Sequence, residues 1–247
     1  MRLPRIVLVT GTDTGVGKTA TTAALAVVLR RRGVSVAVYK PVQTGGAYGD
    51  SDIAEIARLA GDVTARVGAV LREPLAPRAA AALDRVGLPP MAEHVETIAG
   101  LAAQHDHVIV EGAGGLLVEL DDDGGTLATL APAVTARGLS VGVVVVTRAA
   151  LGTLNHTALT LEALRGRAID VVGVVVGSVP AVPGTAERSN LEAFAAGEVA
   201  LVGALPEGAP SLPPAQFREA ASPWLAGLLP REAEVLSSGD GLRGGLA

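Results

Sequence analysis

Cysteine is absent from the 247 residues, and lysine and asparagine occur twice each, as Lys18 and Lys40 and as Asn155 and Asn190. Without cysteine the chain has neither a disulfide framework nor a zinc-thiolate site. No apolar run approaches a membrane span: Val141 to Val146, for instance, falls far short of the roughly 20 residues a spanning helix needs. The first ten residues lack the plan of a signal peptide. A basic surplus is also missing. Twenty Lys and Arg against 25 Asp and Glu leave a formal net charge of -5, with a pI near 5.4. General binders of nucleic acid or anionic membrane need a net basic surface, so neither partner is expected. A soluble, cytoplasmic protein is expected instead.

The scarcity of lysine is itself informative, because arginine replaces it almost everywhere. Lysine should persist where a compact ammonium on a flexible stem does what a planar guanidinium cannot. Lys18 and Lys40 are therefore candidate functional residues before any motif is considered.

At 49% hydrophobic and 18% charged, the chain is long enough to bury an ordinary core. Strand-like apolar runs fall at Ile6 to Thr10, Val34 to Tyr39, His107 to Glu111, Ser140 to Thr147, Val171 to Gly177 and Ala200 to Leu205. Most are continuous Val/Ile/Leu runs, as in strands buried on both faces. Helices fit Lys18 to Arg31, Ser51 to Ala60, Met91 to Gln104, Thr126 to Ala136, Thr153 to Arg165, Glu187 to Ala196 and Pro214 to Leu228. The alternation predicts an α/β fold with a doubly wound, mostly parallel sheet in a single domain over residues 1–229. Residues 230–247, rich in Gly, Ser and charge, are expected to be a disordered tail.

Between the first strand and the first helix runs Gly11-Thr12-Asp13-Thr14-Gly15-Val16-Gly17-Lys18-Thr19, a phosphate-loop sequence of the P-loop NTPase type. The common pattern has a glycine where Thr12 stands; here Gly11 lies one step earlier. Small residues still let backbone N–H groups converge on phosphate oxygens at a helix start. Lys18 can reach the β- and γ-phosphates, and the Thr19 hydroxyl can ligate Mg²⁺.

In an open parallel sheet, ligands sit beyond the carboxyl ends of the strands. Three such ends carry polar groups: Lys40 to Gly45 with Asp50, Ser51 and Asp52; Glu111 to Gly115; and Thr147 with Leu151 to His156. Singly, Lys40 reads as a solvated strand end, Asp50 or Asp52 as a helix cap and Glu111 as a strand terminus. Together with the phosphate loop they converge on one face, where Asp52 and Glu111 would join Thr19 around Mg²⁺. His156 neighbours this face but suits packing or a hydrogen bond as well as catalysis. His94, His105 and His107 read as structural.

These residues resemble the dethiobiotin synthetase family, from about Val7 to Leu228. The resemblance is carried by Thr10 to Thr19, Tyr39-Lys40-Pro41-Val42-Gln43-Thr44-Gly45, Val110-Glu111-Gly112-Ala113-Gly114-Gly115 and Leu151-Gly152-Thr153-Leu154-Asn155-His156. It implies that 7,8-diaminononanoate reacts with CO₂ to give a carbamate, which takes the γ-phosphoryl of ATP and cyclises as the second amine expels phosphate. It implies that Lys40 stabilises the carbamate and the transferring phosphoryl group, and that Lys18 neutralises nucleotide charge. Nucleotide contacts would come from Gly15, Val16, Gly17, Lys18, Thr19 and Ala20, from Asp52, and from Glu111, Gly112, Ala113 and Gly114. Thr19, Asp52 and Glu111 would hold Mg²⁺; Lys40, Thr44, Gly114 and Gly115 would contact substrate. The resemblance also implies a homodimer in which Leu151, Gly152, Thr153, Leu154 and Asn155 meet the distal carboxylate of the substrate bound by the partner subunit.

Two departures stand out. Gly15 replaces an acidic residue of some members, and Gly177-Ser178 stands where many have Asn-Asp facing the base. Nucleoside triphosphates other than ATP are therefore expected to serve, with Pro206, Glu207 and Gly208 supplying much of the remaining base contact.

A partition-type ATPase switch is the rival reading, but such switches carry a lysine near the start of the loop, where Thr12-Asp13 stands. The amidating synthetase of cobalamin biosynthesis is a second rival; its glutamine-hydrolysing domain needs a cysteine nucleophile, and this chain has none.

Overall fold

The computed structural model describes residues 3–49 and 51–228. Seven strands form one sheet in the order β3-β2-β4-β1-β5-β6-β7, every adjacent pair parallel. They are β1 (Ile6–Gly11), β2 (Val36–Gln43), β3 (Thr64–Val70), β4 (His107–Gly115), β5 (Val141–Thr147), β6 (Val171–Val179) and β7 (Leu201–Pro206). The helices are α1 (Lys18–Arg30), α2 (Asp52–Ala60), α3 (Pro77–Asp84), α4 (Met91–Ala102), α5 (Leu127–Thr135), α6 (Thr153–Arg165), α7 (Thr185–Ala195) and α8 (Pro214–Trp224).

Each parallel pairing requires a crossover, and the helices supply it on both faces. Alternation along the central strand shows how the two cores arise. Ile6 and Leu8 join the cluster that contains Val95 and Ile98 of α4 and Leu130 of α5. Val7 and Val9 join the opposite cluster, with Leu25 of α1, Ile56 of α2 and Phe217 of α8. Fully burying each such side chain contributes about 1.5–3 kcal/mol. Helix α1 is buried on almost every side, from Ala20 to Leu29, because it lies between the sheet and helices α2 and α8, which fits its alanine- and valine-rich sequence.

Two elements were not expected from the sequence, β3 and α3. β3 is an edge strand rich in small residues, Thr64-Ala65-Arg66-Val67-Gly68-Ala69-Val70, without the Val/Ile run of the central strands. Its Gly68 is required by close approach: a Cβ there would lie 2.4 Å from the Pro41 carbonyl oxygen. α3 begins with Pro77 at its first turn and ends where Arg85 turns left-handed at φ 57°.

Strand ends also differ from expectation. β2 continues through Lys40 to Gln43, because Lys40, Val42 and Gln43 pair with Val67, Ala69 and Val70 of the unforeseen β3. β4 runs on through Gly112 to Gly115, which pairs with Gly11. Lys40 therefore lies inside a strand rather than after it, and Glu111, expected as the last residue of its strand, lies in the middle of β4. At the other end of the chain, α8 stops at Trp224, after Pro223, and a single 3₁₀ turn follows at Ala226–Leu228. Residues 230–247, expected to form a tail, lie outside the described residues, as does Asp50.

Candidate functional site

The chain reverses its direction across the sheet at β1, so the crevice for a ligand opens at the carboxyl ends of β1 and its neighbours. A cleft of about 1010 Å³ lies there. The turn into α1 is made by Gly17 at φ 96° with no side-chain cap, so the first N–H groups of the helix keep their donors for an anion. Glycine is obligatory at this point, since a Cβ would fall 2.5 Å from the Gly177 carbonyl oxygen. Lys18 curls back over the loop, its Nζ donating to the Asp13 carbonyl at 3.0 Å. Burial pushes the Lys18 pKa down, and the nearby Lys40 ammonium adds to this.

Lys40 and Glu111 come together because β2 and β4 are neighbours, with Tyr39 opposite Val110, so the next residue of each strand projects to the same face. Lys40 Nζ lies 2.6 Å from Asp52 Oδ2 and 2.9 Å from Glu111 Oε1. It also donates to the Gly112 carbonyl at 3.0 Å. Burial alone would lower the Lys40 pKa, but Glu111 and Asp52 outweigh it and the net direction is up. Burial would raise the Asp52 pKa, yet Lys40 and the Thr19 hydroxyl hold it below its ordinary value. The group is thus a charged cluster with one cation and two anions.

Thr19 completes it. Its hydroxyl oxygen lies 2.9 Å from Asp52 Oδ1 and 3.0 Å from Glu111 Oε1; its single proton serves one of them at a time. Glu111 Oε2 is buried and has no hydrogen-bond partner. A buried carboxylate oxygen without a donor is costly, and the two carboxylates and the hydroxyl of this cluster are the oxygen donors that Mg²⁺ takes. The residues present therefore fit a divalent cation.

Asp52 owes its place to two residues with no role assigned from the sequence. The cap of α2 is Ser51, whose side chain accepts from Ala54 N–H, rather than Asp50 or Asp52. Gln43, at the end of β2, accepts the Asp52 N–H through Oε1 at 2.9 Å and donates to the Thr44 carbonyl through Nε2 at 2.7 Å. Its polarity at a buried strand end was the available signal.

Of the sequence-derived candidates, Gly15, Gly17, Lys18, Thr19, Ala20, Lys40, Thr44, Asp52, Glu111, Ala113 and Gly114 line this one cleft. Val16 buries its side chain in the core, leaving only its backbone for the loop. Gly112 takes part through its carbonyl, and Gly115 pairs with Gly11 behind the cleft. Gly177 lies beneath the loop, and a Cβ there would be 2.0 Å from the Val16 carbonyl oxygen. Ser178 and Pro206 to Gly208 sit together at the ends of β6 and β7, where the Glu207 N–H donates to the Val179 carbonyl at 2.7 Å. Leu151 to Asn155 do not line the cleft of their own chain; Leu151 is 84% exposed at the approach to α6.

His94, His105 and His107 are each tied to a backbone carbonyl of the fold. Among the described residues no cluster of three His, Cys, Asp or Glu is placed to hold a metal by those side chains alone. His94 is buried between Tyr39 OH, 2.7 Å from Nδ1, and the Leu120 carbonyl. His105 and His107 bond the Leu101 and Pro4 carbonyls. No helix of the described residues is long and apolar enough to cross a membrane.

A profile of the AAA domain family matches residues 5–215. The ATP-dependent dethiobiotin synthetase BioD of Streptomyces avermitilis is 51% identical over 227 residues, which is 90% of this chain and 92% of that protein. The protein of the same name from Rhodococcus jostii is also 51% identical, over 89% of this chain and 94% of its own. That of Mycobacterium tuberculosis is 48% identical, over 91% and 99%. Among solved structures, the septum site-determining protein MinD of Pyrococcus horikoshii, complexed with Mg-ADP, superposes with a TM-score of 0.56 at 16% identity, covering 96% of this chain and 97% of that one. The cell division protein FtsY of Thermotoga maritima gives 0.54 at 17% identity, over 89% and 69%. At such identities the likeness is one of fold.

Proposed function

The chain belongs to the ATP-dependent dethiobiotin synthetases, and we propose that it uses MgATP to join CO₂ to 7,8-diaminononanoate and close the ureido ring, with Lys40 at the reacting centre. The observation that carries this reading is the meeting of both lysines of the chain with Thr19, Asp52 and Glu111 in one cleft.

One amine of the substrate captures CO₂ and loses a proton, giving a carbamate. A carbamate oxygen then attacks the γ-phosphorus, and the bond to the β-phosphate oxygen breaks to release ADP. The second amine attacks the carbamoyl carbon and gives up a proton to solvent, phosphate leaves with the bonding electrons, and the ring closes. None of these steps needs a covalent protein nucleophile; they need positioning and charge stabilisation. Lys18 faces the phosphates from the loop. Lys40, kept protonated by its two carboxylates, offers a compact positive charge where the carbamate and the γ-phosphoryl group meet. Bound at Thr19, Asp52 and Glu111, Mg²⁺ would neutralise charge on the β- and γ-phosphates.

Several finer points belong to the same proposal. The enzyme is a cyclo-ligase that works as a single domain in the cytoplasm, as a homodimer, with Leu151 to Asn155 of each subunit meeting the substrate carboxylate held by the other. The exposure of Leu151 at the approach to α6 supports that arrangement. The base is met by Ser178 and the Pro206 to Gly208 turn.

Phosphate release from MgATP, with and without 7,8-diaminononanoate and bicarbonate, tests the reaction while mass spectrometry follows dethiobiotin. Equimolar phosphate and dethiobiotin that depend on both additions are expected. Hydrolysis indifferent to both, with no product, would favour a partition-type switch instead.

A further inference from the structure

Thr12 is the residue at which the phosphate loop departs from the usual glycine, and its surroundings give it a task. Its N–H donates to the Val146 carbonyl at 2.9 Å, and its hydroxyl lies 3.3 Å from the Thr147 hydroxyl at the end of β5. Thr147 Oγ1 is in turn 2.6 Å from Thr153 Oγ1 and 2.9 Å from Thr157 Oγ1. Thr147, Thr153 and Thr157 are all buried. A hydroxyl donates once and accepts twice, so three hydroxyl neighbours saturate Thr147. The next residues repeat the link, since the Asp13 carboxylate pairs with the Arg148 guanidinium.

Thr153 and Thr157 are four residues apart and share one face of α6. The residue before α6, Gly152, is left-handed at φ 90° and offers no side-chain cap. The first turn of α6 is therefore secured from below, through Thr153 and Thr157 to Thr147, and its outer rim is exposed at Leu154 and Asn155. The N–H groups of these two have no acceptor within the helix, which suits them to a carboxylate.

We propose that Thr147 is a positioning residue for the substrate's carboxylate: its hydroxyl sets the first turn of α6 at a fixed place relative to the phosphate loop. This inference rests on the reading that Leu151 to Asn155 meet that carboxylate. The departure Thr12 ties the nucleotide loop to the same node, so one buried hydroxyl joins the phosphate loop of its own subunit to the turn that meets the carboxylate of the substrate held by the partner subunit.

The test is steady-state kinetics of Thr147→Val, Thr147→Ser and Thr153→Val with two substrates, 7,8-diaminononanoate and a vicinal diamine of equal chain length lacking the carboxylate. Thr147→Val should raise the KM for the acid about five- to tenfold, with kcat and the KM for ATP within about twofold. Thr147→Ser should restore the wild-type KM. Thr153→Val should raise it similarly, and the double variant should be no worse than the poorer single one, because both remove one interaction. With the carboxylate-free diamine, Thr147→Val should match wild type. An unchanged KM for the acid, or equal losses with both diamines, overturns the role of Thr147. Wild-type enzyme that does not distinguish the two diamines overturns the carboxylate reading itself, and this inference with it.

Discussion

Lys40 and Glu111 meet at 2.9 Å on adjacent strands, with 3% and 0% of their surfaces exposed. One Glu111 oxygen faces the ammonium and the Thr19 hydroxyl, and the other is buried without a hydrogen-bond partner. The pair is thus satisfied on one side only, and Lys40 holds a carboxylate that a divalent cation would also take.

Replacing Lys40 by Met should lower kcat by about a hundredfold or more, the loss typical of removing a charge that stabilises a transition state. Lys40→Arg should not rescue it, because a planar fork cannot stand in for a compact ammonium between Asp52, Glu111 and the Gly112 carbonyl. Breaking a buried pair leaves an uncompensated charge, a cost of about 3–5 kcal/mol, so Lys40→Met should melt lower than wild type without metal. MgCl₂ with ADP should recover much of that loss. Thermal melts and initial rates check both; near-normal rates for Lys40→Arg would contradict the role.

Asp52→Asn and Glu111→Gln should each raise the free Mg²⁺ needed for half-maximal rate by about tenfold or more, since each removes a hard anionic ligand. Gln43→Leu should shift it in the same direction and less, because it frees the Asp52 N–H that Gln43 holds at 2.9 Å. Rates titrated with Mg²⁺ at saturating ATP decide this, and an unchanged half-point would remove the residue from the metal shell.

CTP, GTP and UTP should support dethiobiotin formation within about tenfold of ATP, roughly 1.4 kcal/mol of discrimination, as Gly177-Ser178 lacks the amide and carboxylate that would read adenine. Product counted by mass spectrometry across the four nucleotides is the check, and a strict ATP requirement would refute it. Gly177→Ala is a separate case. Its Cβ would press on the Val16 carbonyl from 2.0 Å, so nucleotide binding itself should be lost, as calorimetry with ADP would show.

Stability should fall as pH drops below about 6.5, the ordinary histidine value, because burial lowers the pKa of His94 in the fold. The unfolded chain then binds that proton more readily. The contribution of neutral His94 is full above the unfolded value and is lost as pH falls through the folded one. Urea midpoints at about pH 7.5 and 5.5 should differ more for wild type than for His94→Gln; equal differences would exclude His94 as the cause. Tyr39, which donates to His94, has its own pKa pushed up to about 12, chiefly by burial, and stays neutral throughout.

Most of the site was legible in the sequence because its chemistry is local or compositional. The phosphate loop is contiguous, its strand-to-helix context is short-range, and two lysines among so many arginines mark themselves. β3 and α3 were not legible. An edge strand of small residues has no hydrophobic signature, and with β3 unseen the apolar run of β2 reads as ending at Tyr39, although Lys40, Val42 and Gln43 all pair with β3. Gln43 and Ser51 were legible as residues and not as supports of Asp52, since that role depends on where α2 begins.

By itself the sequence determined the class of fold, the nucleotide loop and the residue types that carry the chemistry, because hydrophobic period, glycine placement and side-chain charge act over a few residues. Only the tertiary structure decided which carboxylates share Lys40, that Thr19 joins them, that Gly177 must stay a glycine beneath Gly17, and that Thr12 is pinned to Thr147. Each of these depends on the register of non-consecutive parallel strands, and that register is set by packing the two cores against the sheet as a whole.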